Sequence, residues 1–328
     1  MADARDFAHM ARALRLARRG LCTTDPNPRV GSVLVNDGRV VGEGWHRRAG
    51  EPHAERNALV QAGAAARGAT VYVTLEPCCH QGRTPPCADA LIEAGVARVV
   101  AAMEDPNPLV AGQGMRRLRE AGIAVEAGVL EAQARALNPG FARRMARGLP
   151  WVRCKLAMSL DGRTAMASGE SRWITGEDAR RDVQRLRARS AAVLSGSGTV
   201  LADDPSLNVR LDAQALGLDP GLEVRQPVRV VVDSRLRTPP TARLLEPPGS
   251  VVILCVDDHR DHAAALESAG ARVVSMPEQE GRVDLRAALE LLAAQEINEV
   301  LIEAGPTLSG SALRAGLIDE LVVYMAPH

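Results

Sequence analysis

Aromatic side chains are nearly missing from this chain, with two Phe, two Tyr and three Trp in 328 residues. That scarcity argues against the ring platforms on which proteins stack unpaired bases. An excess of either charge is missing too: 40 Lys plus Arg balance 40 Asp plus Glu. There is therefore no basic footprint for non-specific binding to a phosphate backbone. Lysine itself occurs once, at Lys155, and arginine carries the remaining positive charge. No apolar run approaches the ~20 residues of a membrane span, and the opening Met1-Ala2-Asp3-Ala4-Arg5-Asp6 lacks the apolar core of a signal peptide. The six cysteines form no evenly spaced disulfide framework, as expected of a reducing compartment. Cys22, Cys154 and Cys255 read as buried or bystander thiols. These absences point to a cytoplasmic protein with a small-molecule partner, and away from nucleic acid and membrane.

What is present is concentrated in two short runs, Pro52-His53-Ala54-Glu55 and Pro77-Cys78-Cys79-His80-Gln81-Gly82-Arg83-Thr84-Pro85-Pro86-Cys87. One imidazole and two thiolates suit zinc, and three protein ligands leave one tetrahedral position for water, which the metal acidifies to about pKa 7. Glu55 is then a spare carboxylate, near enough to move protons without holding the metal. H-x-E followed by P-C-x-x-C is the signature of zinc-dependent deaminases. Here the match departs in one respect, because Cys78 and Cys87 are separated by eight residues instead of two. Cys79 and His80 lie inside that loop and are also able to coordinate. Cys78 and Cys87 are the expected ligands because each follows a proline and Cys87 opens an apolar helical run, a setting that favours thiolate. His53 and Glu55, two apart, converge only at a helix start, which Pro52 is expected to mark. A closed structural zinc knot is the alternative.

The length accommodates two domains. Phe7, Met10, Ala11 and Leu14 predict an amphipathic helix, and Val30–Asn36 with Arg39–Trp45 predict a hairpin. Alternating helices and strands follow, closing with one helix from Glu131 to Arg143. The expected first domain is thus a three-layer α/β unit over residues 1–147. After the arginine-rich boundary a second α/β unit, residues 148–328, begins with a strand at Trp151. In it, Ser195-Gly196-Ser197-Gly198-Thr199 follows a strand without completing a Rossmann fingerprint, so a plain tight turn is an equal reading. Gly305-Pro306-Thr307-Leu308-Ser309-Gly310 joins a strand to a helix and offers N–H groups to an anion; a simple connection capped by Thr307 or Ser309 is its alternative. Lys155, Asp161 and Glu303 suggest a cleft, with an ion pair of Lys155 to either acid the bland reading.

Seven runs, TDPNPRVGSVLV, PHAERNAL, VTLEPCCHQGRTPPC, EDPNPLVAGQG, KLAMSLDGRTAMASGESRWIT, VLADDPSLNVR and EAGPTLSG, span nearly the whole chain. Together they resemble the bifunctional riboflavin-biosynthesis deaminase–reductase family. The resemblance implies a cytidine-deaminase-like α/β/α domain followed by a dihydrofolate-reductase-like α/β domain that takes NADPH without a Rossmann fingerprint. It implies His53, Cys78 and Cys87 as zinc ligands and Glu55 as proton shuttle, with Asn27, His80, Arg83, Asp105 and Asn107 lining the deaminase pocket. It further implies NADPH contacts at Ala157, Trp173, Thr199, Asp203, Ser234 and Gly305, Pro306, Thr307, Leu308, Ser309, Gly310 and Ser311. Substrate contacts in the second domain are expected at Ser171, Arg187, Leu207, Arg210 and Glu303, with Lys155 a candidate to polarise the opened sugar. Relatives continue beyond Met325-Ala326-Pro327-His328, so a C-terminally shortened reductase domain is expected, and a homo-oligomer is expected by analogy. Two other readings compete: a deaminase whose second half is only an oligomerisation scaffold, and a nucleic-acid base deaminase.

Overall fold

In the computed structural model, which describes residues 3–80, 85–164, 176–256 and 262–326, the chain divides into two compact units, Met1–Arg147 and Gly148–His328. The first opens on helix α1 (Ala4–Arg18). Asp3 accepts hydrogen bonds from the Arg5 and Asp6 N–H groups, and the Asp6 carboxylate accepts one from the Asp3 N–H. Reciprocal capping of this kind satisfies donors that every helix start leaves free. Strands β1 (Gly31–Asn36) and β2 (Arg39–Trp45) form the expected hairpin. Then come α2 (Ala54–Ala62), β3 (Thr70–Val73), α3 (Cys87–Ala94), β4 (Arg98–Ala101), α4 (Gln113–Glu120) and β5 (Ala124–Ala127). Two helices, α5 (Glu131–Leu137) and α6 (Pro139–Arg147), close the unit. The sheet runs β2-β1-β3-β4-β5, with β1 antiparallel to both neighbours and β3, β4 and β5 parallel.

Three glycines set how closely the helices lie on this sheet. A Cβ at Gly31 would sit 2.1 Å from the Ala13 carbonyl of α1, and Cβ atoms at Gly42 and Gly44 would sit 2.2 and 2.3 Å from the Ala58 and Ala54 carbonyls of α2. Gly31 pairs with Trp45, and Gly44 pairs with Ser32. Side chains alternate faces along a strand, so α1 and α2 cover opposite faces and the unit has three layers. Between them lies a core including Met10, Leu34, Val71, Leu91, Val99 and Leu118.

Where one helix was expected from Glu131 to Arg143, there are two. Asn138 breaks the run: its side chain accepts from the Arg29 N–H at 2.7 Å and donates to the Arg29 carbonyl at 2.9 Å. Pro139 then starts α6 without needing an N–H. Pro52 also differs from expectation. His53 is the N-cap of α2, with extended backbone, and Pro52 precedes it.

The second unit is wound around a seven-stranded, wholly parallel sheet. Its elements are β6 (Trp151–Ser159), α7 (Glu177–Arg189), β7 (Ala192–Gly196), α8 (Ser197–Asp203), β8 (Val228–Val232), β9 (Val251–Cys255), α9 (Ala263–Ser268) and β10 (Ala271–Ser275). A small hairpin, β11 (Glu278–Gln279) and β12 (Arg282–Val283), precedes α10 (Leu285–Ala294), β13 (Glu299–Ile302), α11 (Pro306–Arg314) and β14 (Glu320–Ala326). Strand order is β10-β9-β8-β7-β13-β6-β14. A parallel sheet is buried on both faces, so its strands read as near-continuous apolar runs. In β9 all five residues are buried. Val252 and Leu254 pack with α10 residues Leu289 and Leu292, while Val251 and Ile253 pack with Leu266 of α9. The glycine-containing run at 195–199 is not a tight turn: it ends β7 and begins α8. Nor do Thr307 or Ser309 cap α11, whose N-cap is Gly305.

Candidate active sites

The geometry of the first site follows from what fixes α2. Its glycine-mediated seat on β2 sets the helix axis, and Asn57 donates to the Trp45 and Pro52 carbonyls at 2.9 and 3.3 Å. His53 and Glu55 therefore project from a rigid helix start. Across from them, Cys78 follows β3 and Cys87 is the first residue of α3. The His53 Nδ1 lies 3.6 Å from the Cys78 Sγ and 3.4 Å from the Cys87 Sγ. Zinc bonds of about 2.0–2.1 Å to nitrogen and 2.3 Å to sulfur, at a tetrahedral angle, require an N–S separation of about 3.6 Å. The three ligand atoms lie within 4.8 Å of one another. This donor set fits zinc.

Cys79 and His80 are not in the cluster, which among the described residues holds His53, Cys78 and Cys87. Cys79 is half-buried and His80 exposed. The helix-start argument also acts on a different sulfur than expected. The hydrogen bond between the two side chains holds the Cys78 thiol well below its ordinary range, with the backbone N–H of Cys87, which donates to the Cys78 Sγ at 3.3 Å, adding to the effect. The same side-chain bond, with burial, pushes the Cys87 thiol up. Hydrogen bonding to Cys78 raises His53. Glu55 is 3% exposed, and burial raises its carboxyl to about 7.

Around this centre, Asn27 sits with its Nδ2 3.0 Å from the His46 Nε2, while the His46 Nδ1 is 3.2 Å from the Pro52 carbonyl. His46 thus donates through Nδ1 and accepts through Nε2, a fixed neutral tautomer, and burial lowers its pKa to about 4. Asp105 is buried and its carboxyl is raised to about 7, chiefly by desolvation; its Oδ1 accepts from the Asn107 N–H at 2.8 Å. Arg83 lies outside the described residues. Two residues escaped the reading of the sequence: His46, which orients Asn27, and Glu76, a buried carboxylate accepting three backbone N–H groups. Their only sequence signal is adjacency, His46 to the end of a glycine-rich strand and Glu76 to Pro77-Cys78.

In the second unit the two glycine-containing turns meet. The Gly305 N–H donates to the Thr199 Oγ1 at 3.1 Å, the Ser195 Oγ donates to the Glu303 carbonyl at 2.7 Å, and a Cβ at Gly196 would sit 3.6 Å from the Leu308 side chain. Pro306 and Thr307 are exposed and the α11 start carries no side-chain cap among the described residues. An uncapped helix start beside a hydroxyl fits the anionic groups of a nucleotide cofactor. Ser309 bonds back to the Ala304 carbonyl, and Ser311 accepts from Arg314 within α11; Gly310 lies between them. Asp203 ends α8, Ala157 is half-buried on β6, and the Ser234 Oγ accepts from the Val283 N–H at 3.0 Å.

Arg187 and Glu303 are joined to each other by two bonds of 2.6 and 2.9 Å, and Arg187 also donates to the Asn208 carbonyl. The arginine's charge and hydrogen bonds hold Glu303 below its ordinary range against burial, with Lys155 and Arg210 adding to the effect. Lys155 therefore lies nearer Glu303 in its action than Asp161, which bonds Ser159 and Arg163. Leu207 is buried at φ +52°, and Arg210 is exposed. Ser171 and Trp173 lie outside the described residues.

Comparison with known proteins agrees with both halves. The model of the RibD C-terminal domain matches residues 150–328, and that of the cytidine and deoxycytidylate deaminase zinc-binding region matches residues 3–103. The riboflavin biosynthesis protein RibD of Escherichia coli (strain K12) is 56% identical over 326 residues, which cover 98% of this chain and 88% of that protein. The chain belongs to the RibD family. RibD from Acinetobacter baumannii (form 1) superposes with a TM-score of 0.89 at 50% identity, covering 99% of this chain and 87% of that one. The Thermotoga maritima diaminohydroxyphosphoribosylaminopyrimidine deaminase/5-amino-6-(5-phosphoribosylamino)uracil reductase gives 0.82 at 36% identity, covering 94% and 84%. As a RibD-family member the chain is a bifunctional enzyme of riboflavin biosynthesis. It combines a cytidine-deaminase-like zinc-dependent deaminase with a dihydrofolate-reductase-like, NADPH-dependent reductase.

Proposed function

We propose that residues 1–147 hydrolyse the ring amine of 2,5-diamino-6-(5-phosphoribosylamino)pyrimidin-4(3H)-one, and that residues 148–328 reduce the ribosyl group of the product to ribityl. The overall product is 5-amino-6-(5-phosphoribitylamino)uracil. The observation that carries this reading is the His53, Cys78 and Cys87 cluster at zinc spacing with Glu55 buried beside it. Zinc, when bound by these three side chains, activates water for attack on the amine-bearing carbon. Glu55 takes the proton released by that water and delivers it to the departing amine; a carboxyl that titrates near 7 suits both transfers. Asn27, His80, Arg83, Asp105 and Asn107 hold the pyrimidine phosphate, with His46 setting which edge of Asn27 faces it.

NADPH, when bound, supplies the hydride. The turns at Thr199–Asp203 and Gly305–Ser311, with Ala157, Trp173 and Ser234, orient it. Arg210 is suited to the substrate phosphate through its planar guanidinium. Arg187 fixes Glu303 through its Nε and one Nη, and with three of its five N–H groups used in these bonds and the one to the Asn208 carbonyl, it joins the substrate contacts. Ser171, Leu207 and Lys155 complete the sugar side. A cytoplasmic homo-oligomer accords with the family reading; among the described residues no helix is long and apolar enough to cross a membrane.

Zinc content measured together with ammonia release from the diaminopyrimidine phosphate, followed by NADPH oxidation with the deaminated product, tests both halves. Ammonia release without NADPH oxidation would reduce the second unit to a scaffold. No ammonia from zinc-loaded protein would reject the substrate.

A further inference from the structure

Glu76 stands between the two parts of the deaminase site and belongs to neither. It lies two residues before Cys78, and is 3% exposed. Its backbone N–H donates to the Met103 carbonyl at 3.0 Å. Its Oε2 accepts from the N–H groups of Asp105 at 3.1 Å and Gly112 at 2.8 Å, and its Oε1 accepts from the Met115 N–H at 3.1 Å. Gly112 is the N-cap of α4, at φ +75°, and supplies no capping side chain. Glu76 takes over that task from a distant part of the chain, with its charge at the positive end of the helix. The packing beside it is as close. A Cβ at Gly114 would sit 1.9 Å from the Pro77 carbonyl, the residue between Glu76 and Cys78.

One carboxylate therefore ties the strand end that delivers a zinc-spaced cysteine to both ends of the segment 105–112, which carries Asp105 and Asn107. If Glu76 only stabilised α4, bonds to Gly112 and Met115 would be enough. The third bond, to the Asp105 N–H, reaches the start of the segment and fixes its distance from Cys78. A buried carboxylate satisfied by three N–H groups also resists substitution by an amide, whose NH2 would confront at least one of those donors.

We infer that Glu76 is a positioning residue for deamination, holding Asp105 and Asn107 in register with the cysteine loop so that together they bind the pyrimidine. The inference rests on the reading of Asp105 and Asn107 as substrate contacts.

Glu76→Gln, assayed as the full-length zinc-loaded enzyme for ammonia release, should raise KM at least tenfold while kcat per bound zinc stays within a few-fold and zinc stoichiometry stays at the wild-type value. Hydrogen exchange at the Asp105 and Gly112 amides should quicken at least tenfold. Gly114→Ala, which leaves the carboxylate in place but wedges a methyl against Pro77, should raise KM in the same way. An unchanged KM in both variants overturns the inference. So does a fall in kcat with KM unchanged, the mark of a smaller folded fraction, and so does loss of zinc or of folding in Glu76→Gln, which would make Glu76 a support of the cysteine loop alone. Asn107→Ala in the same assay separates the two levels. If it leaves KM unchanged, the substrate-contact reading fails; if it raises KM while Glu76→Gln does not, only this inference fails.

Discussion

Glu55→Gln should move activity and stability in opposite directions. The carboxyl is 3% exposed and burial raises it from an ordinary 4.5 to about 7. Between those pH values the folded chain keeps a proton that the unfolded chain has released, so wild-type stability falls as pH rises through the interval and levels off above it. At about 1.4 kcal/mol for each tenfold change in proton affinity, the ionised carboxylate costs the folded metal-free protein up to about 3 kcal/mol. Glutamine has the same shape and no charge to bury. Chelator-treated Glu55→Gln should therefore unfold at higher urea than wild type at pH 8, with the difference shrinking toward pH 4.5. Turnover moves the other way. A positioned general acid–base is worth about 10²–10⁴-fold, and Glu55 is asked to act twice, on water and on the leaving amine, so ammonia release should drop near the upper end. Zinc content should not change, because Glu55 is outside the ligand cluster. Urea titrations at the two pH values, metal analysis and an ammonia assay read all three. Retained turnover, lost zinc or a less stable metal-free variant would each refute the assignment.

Cys78→Ser and Cys87→Ser should each lower bound zinc below one per chain and abolish ammonia release while leaving NADPH oxidation with the deaminated product intact; metal analysis alongside the two assays checks this. Arg98→Met leaves Asp6 buried without the partner that holds its carboxyl well below the usual range, at a cost of about 3 kcal/mol at pH 7. Because a depressed carboxyl stabilises only while ionised, the cost should shrink as pH falls below about 4, as urea unfolding at pH 7 and pH 3.5 would show. Gly44→Ala places a methyl 2.3 Å from the Ala54 carbonyl; it should cost about 1–3 kcal/mol and reduce deamination, since the helix that must shift carries His53 and Glu55.

The sequence made the zinc cluster legible because the ligands lie in two compact runs, and each run starts or ends at a proline-marked boundary. The spacing left Cys79 and His80 open, and only the folded loop removed them. Strands buried on both faces, such as Val251–Cys255, were legible as apolar runs. The break at Asn138 was not, since its cause is a pair of bonds to Arg29, 109 residues away. Arg187 shows the same limit from the other side. As an isolated arginine it suggests phosphate, whereas in the fold its Nε and one Nη are bonded to Glu303 and the other Nη donates to the Asn208 carbonyl. Glu76 was invisible for a related reason: a carboxylate that caps a helix from 36 residues away leaves no local pattern.

Parallel strands explain why motifs so far apart in sequence become neighbours. In such a sheet the carboxyl ends of adjacent strands lie side by side, and ligands gather where they open. Glu76 and Cys78 follow β3, and Asp105 follows its parallel neighbour β4. In the second unit Ser234 follows β8, Ser195–Thr199 ends β7, Glu303 follows β13, and Ala157 lies late in β6, in the adjacent order β8-β7-β13-β6. The opposite ends of those strands are used differently. Arg153, fully buried, pairs with Glu299 and Glu320 at 3.3 and 2.8 Å near the amino ends of β6, β13 and β14. Both ends thus bury arginine–glutamate pairs, and the pair chemistry alone does not distinguish structure from site. Position along the strand does: Glu303 is followed at once by the uncapped start of α11, whereas Glu299 and Glu320 are followed by the strands themselves.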